Sequence, residues 1–490
     1  MSATARRPGS ATTDPPVDRP TRLSRSRRTL IGVMLAVGLV GVAAALPGVW
    51  VRATYGAQTS ADEPHYLLTA ISLAEDQDLN LSDEFTEERY RPFHEIRLTP
   101  QGAEVGDERI VSPHDPLLPA FLAAPWRLGG WQGAKIALAL VNGAVGALLV
   151  WTAVRRFGAR VGTAGLIAGL FVATAPLAAY GTQVYPELPA AFAALAAVGA
   201  ATGPARARSA AVVVTAIVVL PWLAIKYTPV AIVLAGYALV RWWRGGARRL
   251  AIGAAGALAI AGVAYLVAHL AWYGGVTPYA VSDFFSERGG EFSAVGTSPD
   301  AWGRSRRLIG LLVDEQFGLA SWQPAWLLMI PAIAALARRR PDGWLAVVLP
   351  LGAGWLTATF VALTMHGWWF PGRQVVVVLP LAVLAVVWLA ERGAVWWWST
   401  VASGALGVFI WVWLLGEGLQ ERLTLIVDFA STSNPVHRAW QVALPDYLDV
   451  TTTTWMLHGM WIAIAVLLAT AGWRSSNRGS GGRATLGGAA

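Results

Sequence analysis

Residues 30–48 read LIGVMLAVGLVGVAAALPG, and residues 58–75, shortly after, read QTSADEPHYLLTAISLAE. The first stretch is uncharged and apolar, close to the roughly 20 residues that cross a hydrocarbon core at about 1.5 Å per residue. The second opens on paired carboxylates, Asp62 and Glu63, and then repeats Leu67, Ala70, Ile71 and Ala74 at helical spacing. Asp62 is a good N-cap and Pro64 suits a first helical turn. The pattern predicts a short amphipathic helix lying on the outer leaflet, with two carboxylates at headgroup level. Two readings of that pair stand side by side. The acids serve the helix, as cap and dipole partner, or they do chemistry at the membrane surface.

Working outward, apolar runs of spanning length recur near 133–154, 161–180, 186–202, 210–224, 227–243, 250–272, 322–337, 343–364, 374–390, 396–415 and 455–473. Pro189, Pro221 and Pro331 lie inside or at the edges of these runs, where neighbouring helices can satisfy freed carbonyls. The runs 210–224 and 227–243 are separated by Lys226-Tyr227 and read as a tight helical hairpin. The composition agrees with a chain made for lipid. Of 490 residues, 55% are hydrophobic and 14% charged, where a soluble domain is about a quarter charged. The absence of Cys excludes a disulfide scaffold, thiol catalysis and Cys-ligated zinc. The expected fold is an all-α polytopic membrane protein of about twelve transmembrane helices, with a large first extracytoplasmic loop and interfacial helices. Residues 29–473 form this transmembrane domain, its first loop spanning 49–132, between flexible cytoplasmic tails at 1–28 and 474–490. The first apolar run is longer than a typical signal-peptide core and is read as an uncleaved span.

Orientation follows from basic residues in the loops. With the N-terminus inside, the cytoplasmic segments hold 23 basic and 4 acidic residues, and the rest of the chain 15 and 26. The net charge of +8 is thus an orientation signal rather than a nucleic-acid footprint, and the outer surface is acidic. The expected location is the plasma membrane, with the chemistry outside. Three outer loops are long, near 49–132, 273–321 and 416–454, and all seven His lie outside or near the outer ends of spans. No Gly-rich phosphate loop followed by Lys-Ser or Lys-Thr occurs, which argues against a cytosolic nucleotide site.

Candidate residues gather at that outer boundary. His114 and Asp115 lie in SPHDPLLP at 112–119, ahead of a second interfacial segment ending at Trp126. They can join Asp62, Glu63, His65 and Tyr66 in one site. With His65 they can also ligate a divalent metal, although the spacing matches no metal motif and Asp-Pro equally forms a turn. Lys226, Arg307 and Arg373 are cations placed to grip a lipid phosphate. The alternative for each is snorkelling to the headgroups. His366 and Trp368 belong to HGWWFPGR at 366–373, an aromatic stretch suited to an interfacial belt or to stacking on a sugar.

The order of these motifs resembles the GT-C superfamily of integral-membrane glycosyltransferases, which includes protein mannosyltransferases and the lipid A aminoarabinose transferase. The resemblance covers most of the chain. It rests on one span before a large outer loop, Asp62-Glu63 opening a helix, His114-Asp115-Pro116, GLLVDEQFGL at 310–319 and Phe370-Pro371-Gly372-Arg373. A large soluble C-terminal domain has no counterpart here. The resemblance implies a polyprenyl-phosphate sugar as donor and a glycan, lipid or protein acceptor. It makes Asp62 the base, Glu63 its helper, and Arg373, Lys226 and Arg307 the donor-phosphate ligands. His65, Tyr66, His114, Asp115, His366 and Trp368 then contact substrate. The resemblance fixes no cofactor, and a divalent metal is an option. The rival readings are a lipid-linked oligosaccharide polymerase or ligase, and a lipid or glycan transporter, which would place ionisable residues deep within its spans.

Overall fold

The computed structural model describes residues 22–102, 104–105, 109–287 and 300–475. The first helix begins at Arg22; the remainder of the predicted tails, 1–21 and 476–490, lies outside the described residues.

Apolar runs become helices because a buried backbone must bond to itself where water is absent. Every predicted run contains helix. Among the described residues, seven helical stretches are long and apolar enough to cross a membrane: Ser26–Val49, Leu117–Phe157, Arg248–Val281, Trp344–Val361, Arg373–Ala390, Ala394–Leu419 and Thr452–Ser475. The other runs hold shorter helices, among them Val161–Val172, Glu187–Ala201, Ala207–Leu223 and Thr228–Arg244. The predicted hairpin at 210–243 is present. Its helices are separated by an extended Ala224 and a 3-10 turn, Ile225–Tyr227, which puts Lys226 at the tip.

The stretch Arg373–Ala390 lies at the centre, with every residue of Leu379–Ala390 buried. It is apolar all round, as a helix enclosed by others must be. Thr452–Ser475 and Arg248–Tyr273 are mostly exposed and form the rim. The helix Arg22–Ala45 crosses Leu117–Phe157 where both carry small residues. A Cβ on Gly143 would sit 2.6 Å from the Gly38 carbonyl oxygen, and one on Gly41 3.2 Å from that of Asn142. Close backbone approach through glycine is a common way for membrane helices to attract each other. Asn142, fully buried, joins the crossing to a third helix by donating to the carbonyls of Gly41 and Val172, both at 2.9 Å.

The helix Leu117–Phe157 breaks at Gly129-Gly130, where Gly130 has φ 58°. This separates a segment ending near Trp126 from the longer run after it. The remainder of the first long loop contains the helices Glu63–Glu75 and Ser82–Thr86 and a two-residue antiparallel ladder, Glu104–Val105 with Arg109–Ile110. Here the structure corrects one expectation. The helix Glu63–Glu75 does not lie on a surface with one face open. All its residues are buried except Leu73 and Glu75, because the loop folds over the face that the apolar stripe leaves free.

Charges segregate along the bundle. Arg241 pairs with Asp342 at 2.8 Å and Arg160 with Glu391 at 3.3 Å. All four lie at ends of apolar runs outside the three long outer loops. The opposite ends of the same helices carry Lys226 and Arg373.

Substituting Gly143→Ala forces the two backbones apart or strains them. The expected loss is about 1–3 kcal/mol, read as a lower unfolding temperature of the purified protein, with Gly253→Ala, which meets open space, as the control that shows no such loss.

Candidate functional site

Asp62 stands at the turn before the helix Glu63–Glu75, yet its side chain makes no capping hydrogen bond. Its Oδ2 accepts from Arg373 Nη2 at 2.6 Å, and its Oδ1 from Gln101 Nε2 at 3.4 Å. Arg373 is delivered by a turn that only glycine fits. Gly372 has φ 88°, and a Cβ there would approach Leu319 to 2.7 Å and Pro176 to 3.1 Å. Arg373 Nε donates to Glu187 Oε1 at 3.1 Å, and Lys226 Nζ donates to the same oxygen at 2.7 Å. The guanidinium carbon lies 3.9 Å from the centroid of the Tyr185 ring and 4.8 Å from that of Trp369. Aromatic faces favour a cation at such distances.

Four segments far apart in sequence therefore meet in one chain of charges, Asp62–Arg373–Glu187–Lys226. Its middle is enclosed and its ends are open. The Glu187 side chain is fully buried, while those of Asp62 and Lys226 stay 24% and 25% exposed. Glu187 Oε2 is buried with no hydrogen-bond partner. A charge-paired cluster this close to the surface is held together by mutual neutralisation, and an anion that enters can exchange partners with it.

His114 and Tyr66 form one wall. Their rings stack at 4.5 Å, and His114 Nε2 lies 3.2 Å from Gln101 Oε1. Gln101 thus bridges His114 to Asp62. Asp115, the next residue, is buried and faces elsewhere. It accepts from the Ile225 backbone N–H at 2.9 Å, from Tyr265 Oη at 2.8 Å, and lies 3.0 Å from His269 Nε2. It thereby anchors the turn that carries Lys226.

Glu63 is fully buried and points away from Asp62's partners. Its carboxylate accepts from the backbone N–H of Ser60 at 3.1 Å, from Ser60 Oγ at 3.2 Å and from the backbone N–H of Val184 at 2.7 Å. It ties the turn before Asp62 to the segment leading to Tyr185 and Glu187. His65 is buried against Phe85, ring centroids 6.0 Å apart. Trp368 is exposed and contributes only its carbonyl, which accepts from Ser60 Oγ at 3.0 Å. His366 lies 3.1 Å from Asp314, whose carboxylate also accepts from the Gln316 and Phe317 N–H groups. Arg307 donates to the carbonyls of Ala362 at 2.6 Å and Leu363 at 3.0 Å. The structure therefore brings Asp62, Arg373, Lys226, Tyr66 and His114 together, and holds Glu63, Asp115, His65, His366 and Arg307 in supporting contacts. Sequence reasoning missed Glu187, Gln101 and Tyr185, and named Trp368 where its neighbour Trp369 is the ring beside Arg373. Glu187 carried a signal, an acid in the first turn of an apolar run near the outer boundary. Gln101 and Tyr185 carried none.

Burial alone pushes the Asp62 carboxyl up. The Arg373 guanidinium, and then His114 and the Arg373 hydrogen bond, outweigh it and hold the group well below the usual carboxylate range. Burial pushes the Glu63 carboxyl up despite Lys135. His65 falls to about 3, first through burial and then through His114, against the pull of Asp62. His114 is lowered too, by burial first, with Asp62 opposing. Among the described residues, the group of carboxylates close enough to share a metal is Asp76, Asp83 and Glu84, away from this site.

No protein-family model and no curated protein matches the chain. Two solved structures are similar to it over most of its length. One is ArnT from Cupriavidus metallidurans bound to undecaprenyl phosphate, at 17% identity and a TM-score of 0.46, covering 92% of this chain and 74% of that one. The other is ArnT from the same organism in the apo state, at 18% identity and a TM-score of 0.46, covering 93% and 74%.

The lowered His65 sets a pH dependence of stability. A histidine with a depressed native pKa binds its proton more readily in the unfolded chain, so stability is lost as pH falls below about 6.5. Between pH 6.5 and 5 the expected loss from this residue is on the order of 1–2 kcal/mol. Thermal unfolding across that range should show the decline, and a shallower one in His65→Gln.

Proposed function

We propose that the chain is a glycosyltransferase that moves a sugar from a polyprenyl-phosphate donor to an acceptor hydroxyl, with inversion, on the outer face of the plasma membrane. One observation carries this reading: Asp62, Arg373, Glu187 and Lys226 form a continuous chain of charges at the end of the bundle away from the Arg241–Asp342 and Arg160–Glu391 pairs. The basic excess of the other end supports a cytoplasmic assignment for it and for both termini. On this reading the chain crosses about twelve times, the shorter helices included.

The charges suit the two needs of such a transfer. The leaving phosphate gains negative charge as the bond from its oxygen to the anomeric carbon breaks. Arg373 and Lys226 are already placed side by side on one Glu187 oxygen, and a phosphate near them would be stabilised without much reorganisation. The acceptor hydroxyl must lose its proton as its oxygen bonds to the anomeric carbon. Asp62 takes that proton. Held by Arg373, Asp62 is a weak base. When a phosphate draws the guanidinium toward itself, the carboxylate loses its strongest stabilising partner and gains basicity. Donor binding thereby switches on the base, and unproductive hydrolysis is restrained until the donor is seated. A single displacement needs no second carboxylate as nucleophile, which agrees with Glu63 being fully engaged by backbone donors. The products are the glycosylated acceptor and polyprenyl phosphate. His114 and Trp369, part-exposed beside the charges, offer ring surface against which a sugar can pack.

The test uses purified protein in nanodiscs with a panel of radiolabelled polyprenyl-phosphate sugars. Turnover of one donor is expected. Asp62→Asn should lower kcat by about 10²–10⁴-fold while still binding donor. Lys226→Gln should chiefly raise the donor KM. Wild-type turnover in Asp62→Asn removes its role as base. Absence of turnover and binding for every donor overturns the reading in favour of a polymerase or transporter.

A further inference from the structure

The first long loop contains a second concentration of charge that plays no part in the transfer. Asp76, Asp83 and Glu84 present one carboxylate oxygen each, all within 4.8 Å of one another. Glu75 and Glu87 flank them. One guanidinium serves the whole group: Arg89 lies 3.4 Å from Glu75, 3.0 Å from Asp76, 3.1 Å from Asp83, 3.6 Å from Glu84 and 2.8 Å from Glu87. A single positive charge against five carboxyl groups leaves a large negative excess.

Glu84 makes this more than a solvated acidic face. It is fully buried, and neither of its carboxylate oxygens has a hydrogen-bond partner. Arg89, its charged neighbour at 3.6 Å, is shared among five carboxyl groups, so this buried carboxylate still calls for a further cation or a proton. The helix Glu63–Glu75 adds a second reason. It ends on Glu75 with Asp76 as its C-cap, so two acids stand at the negative end of a helix dipole, where a cation belongs.

The sequence has a matching pattern. Residues 76–87 read DQDLNLSDEFTE, with oxygen-bearing side chains at the first, third, fifth, seventh, ninth and twelfth positions, as in a calcium-binding loop. The sixth position is Leu81 rather than glycine, and the loop is wound differently. Asp78 Oδ1 accepts from Ser72 Oγ and from the Asn80 N–H, each at 2.9 Å, so Asp78 and Asn80 serve the turn. The oxygens left facing one another are those of Asp76, Asp83 and Glu84.

We propose that Asp76, Asp83 and Glu84 form a binding site for a divalent cation, calcium by the chemistry of its ligands, which fastens the first long loop to the end of the helix Glu63–Glu75. Only hard oxygen donors are present, and their mixed spacing suits the flexible six- to eight-fold coordination of calcium better than the strict octahedron of magnesium. The cation would be structural. Its place is one helix length from Asp62, so it stiffens the element that carries the site without entering it.

Trp126 supplies a local reporter, because its Nε1 lies 3.4 Å from Glu75 Oε1. Full-length protein in nanodiscs is stripped with EDTA and titrated with terbium(III), which takes the oxygen ligands of calcium and emits when a nearby indole is excited. Saturable emission is expected, displaced by calcium and at least halved by Trp126→Phe. Glu84→Gln and Asp83→Asn should each weaken binding tenfold or more, and Asp449→Asn, in a different loop, should leave it unchanged. Calcium should also raise the unfolding temperature of the wild type and not of Glu84→Gln. Failure of calcium to displace terbium, or binding unaltered in both Glu84→Gln and Asp83→Asn, overturns the proposal. Because binding and unfolding are read without any sugar donor, the outcome is independent of the transferase reading.

Discussion

The Arg373–Glu187 contact is the constraint around which the rest is arranged. A guanidinium and a carboxylate buried together at the head of an apolar helix are tolerable only while each neutralises the other. Neither can be relocated by a local change, because they come from different helices. Asp62 on one side and Lys226 on the other complete the neutralisation. Each of these partners is in turn held by groups whose only evident task is to hold it. Gly372 shapes the turn of Arg373, Glu63 secures the turn before Asp62 to the strand of backbone at Val184, and Asp115 pins the Lys226 turn through Ile225. The apolar bulk of the bundle is a scaffold that brings those turns to one end.

The same economy governs the first long loop. A helix with an apolar stripe and a polar remainder would be content at a membrane surface. Here it is roofed by the rest of its own loop, and its polar face is used: Thr69 bonds back to the His65 carbonyl and Ser72 receives the turn at Asp78 and Asn80. Burying the helix fixes where its first residue points. A helix floating on a leaflet would leave Asp62 free to rotate; a roofed one holds it against Arg373.

How much of this was legible beforehand differs by residue type. Spans are legible because crossing lipid imposes a length and an apolarity that few other structures share, and the hairpin around Lys226 followed from two such runs with one charged residue between them. Asp62, Lys226 and Arg373 were visible as charges at the edges of apolar runs, where each needs a partner. Glu187 was equally placed and was passed over because it sits one residue inside a run. Gln101 lies in a polar stretch with no pattern, so nothing local marks it as the bridge between Asp62 and His114. Glu63 shows the opposite error: adjacency to Asp62 suggested a shared task, but successive residues at a helix start diverge by about 100° and meet different surroundings.

Hydrophobic length, the bias of Arg toward one set of loops and the position of charges at run ends are properties of the chain read in order, so the membrane class, the approximate spans and the set of candidate charges follow from sequence. Which carboxylate meets which cation is a matter of contacts between residues as far apart as 62 and 373, and it depends on helix rotation and crossing geometry. Those are set by packing at places such as Gly38 and Gly143, where a difference of one methyl group moves a helix. Sequence order alone does not contain that information in readable form; the folded bundle does.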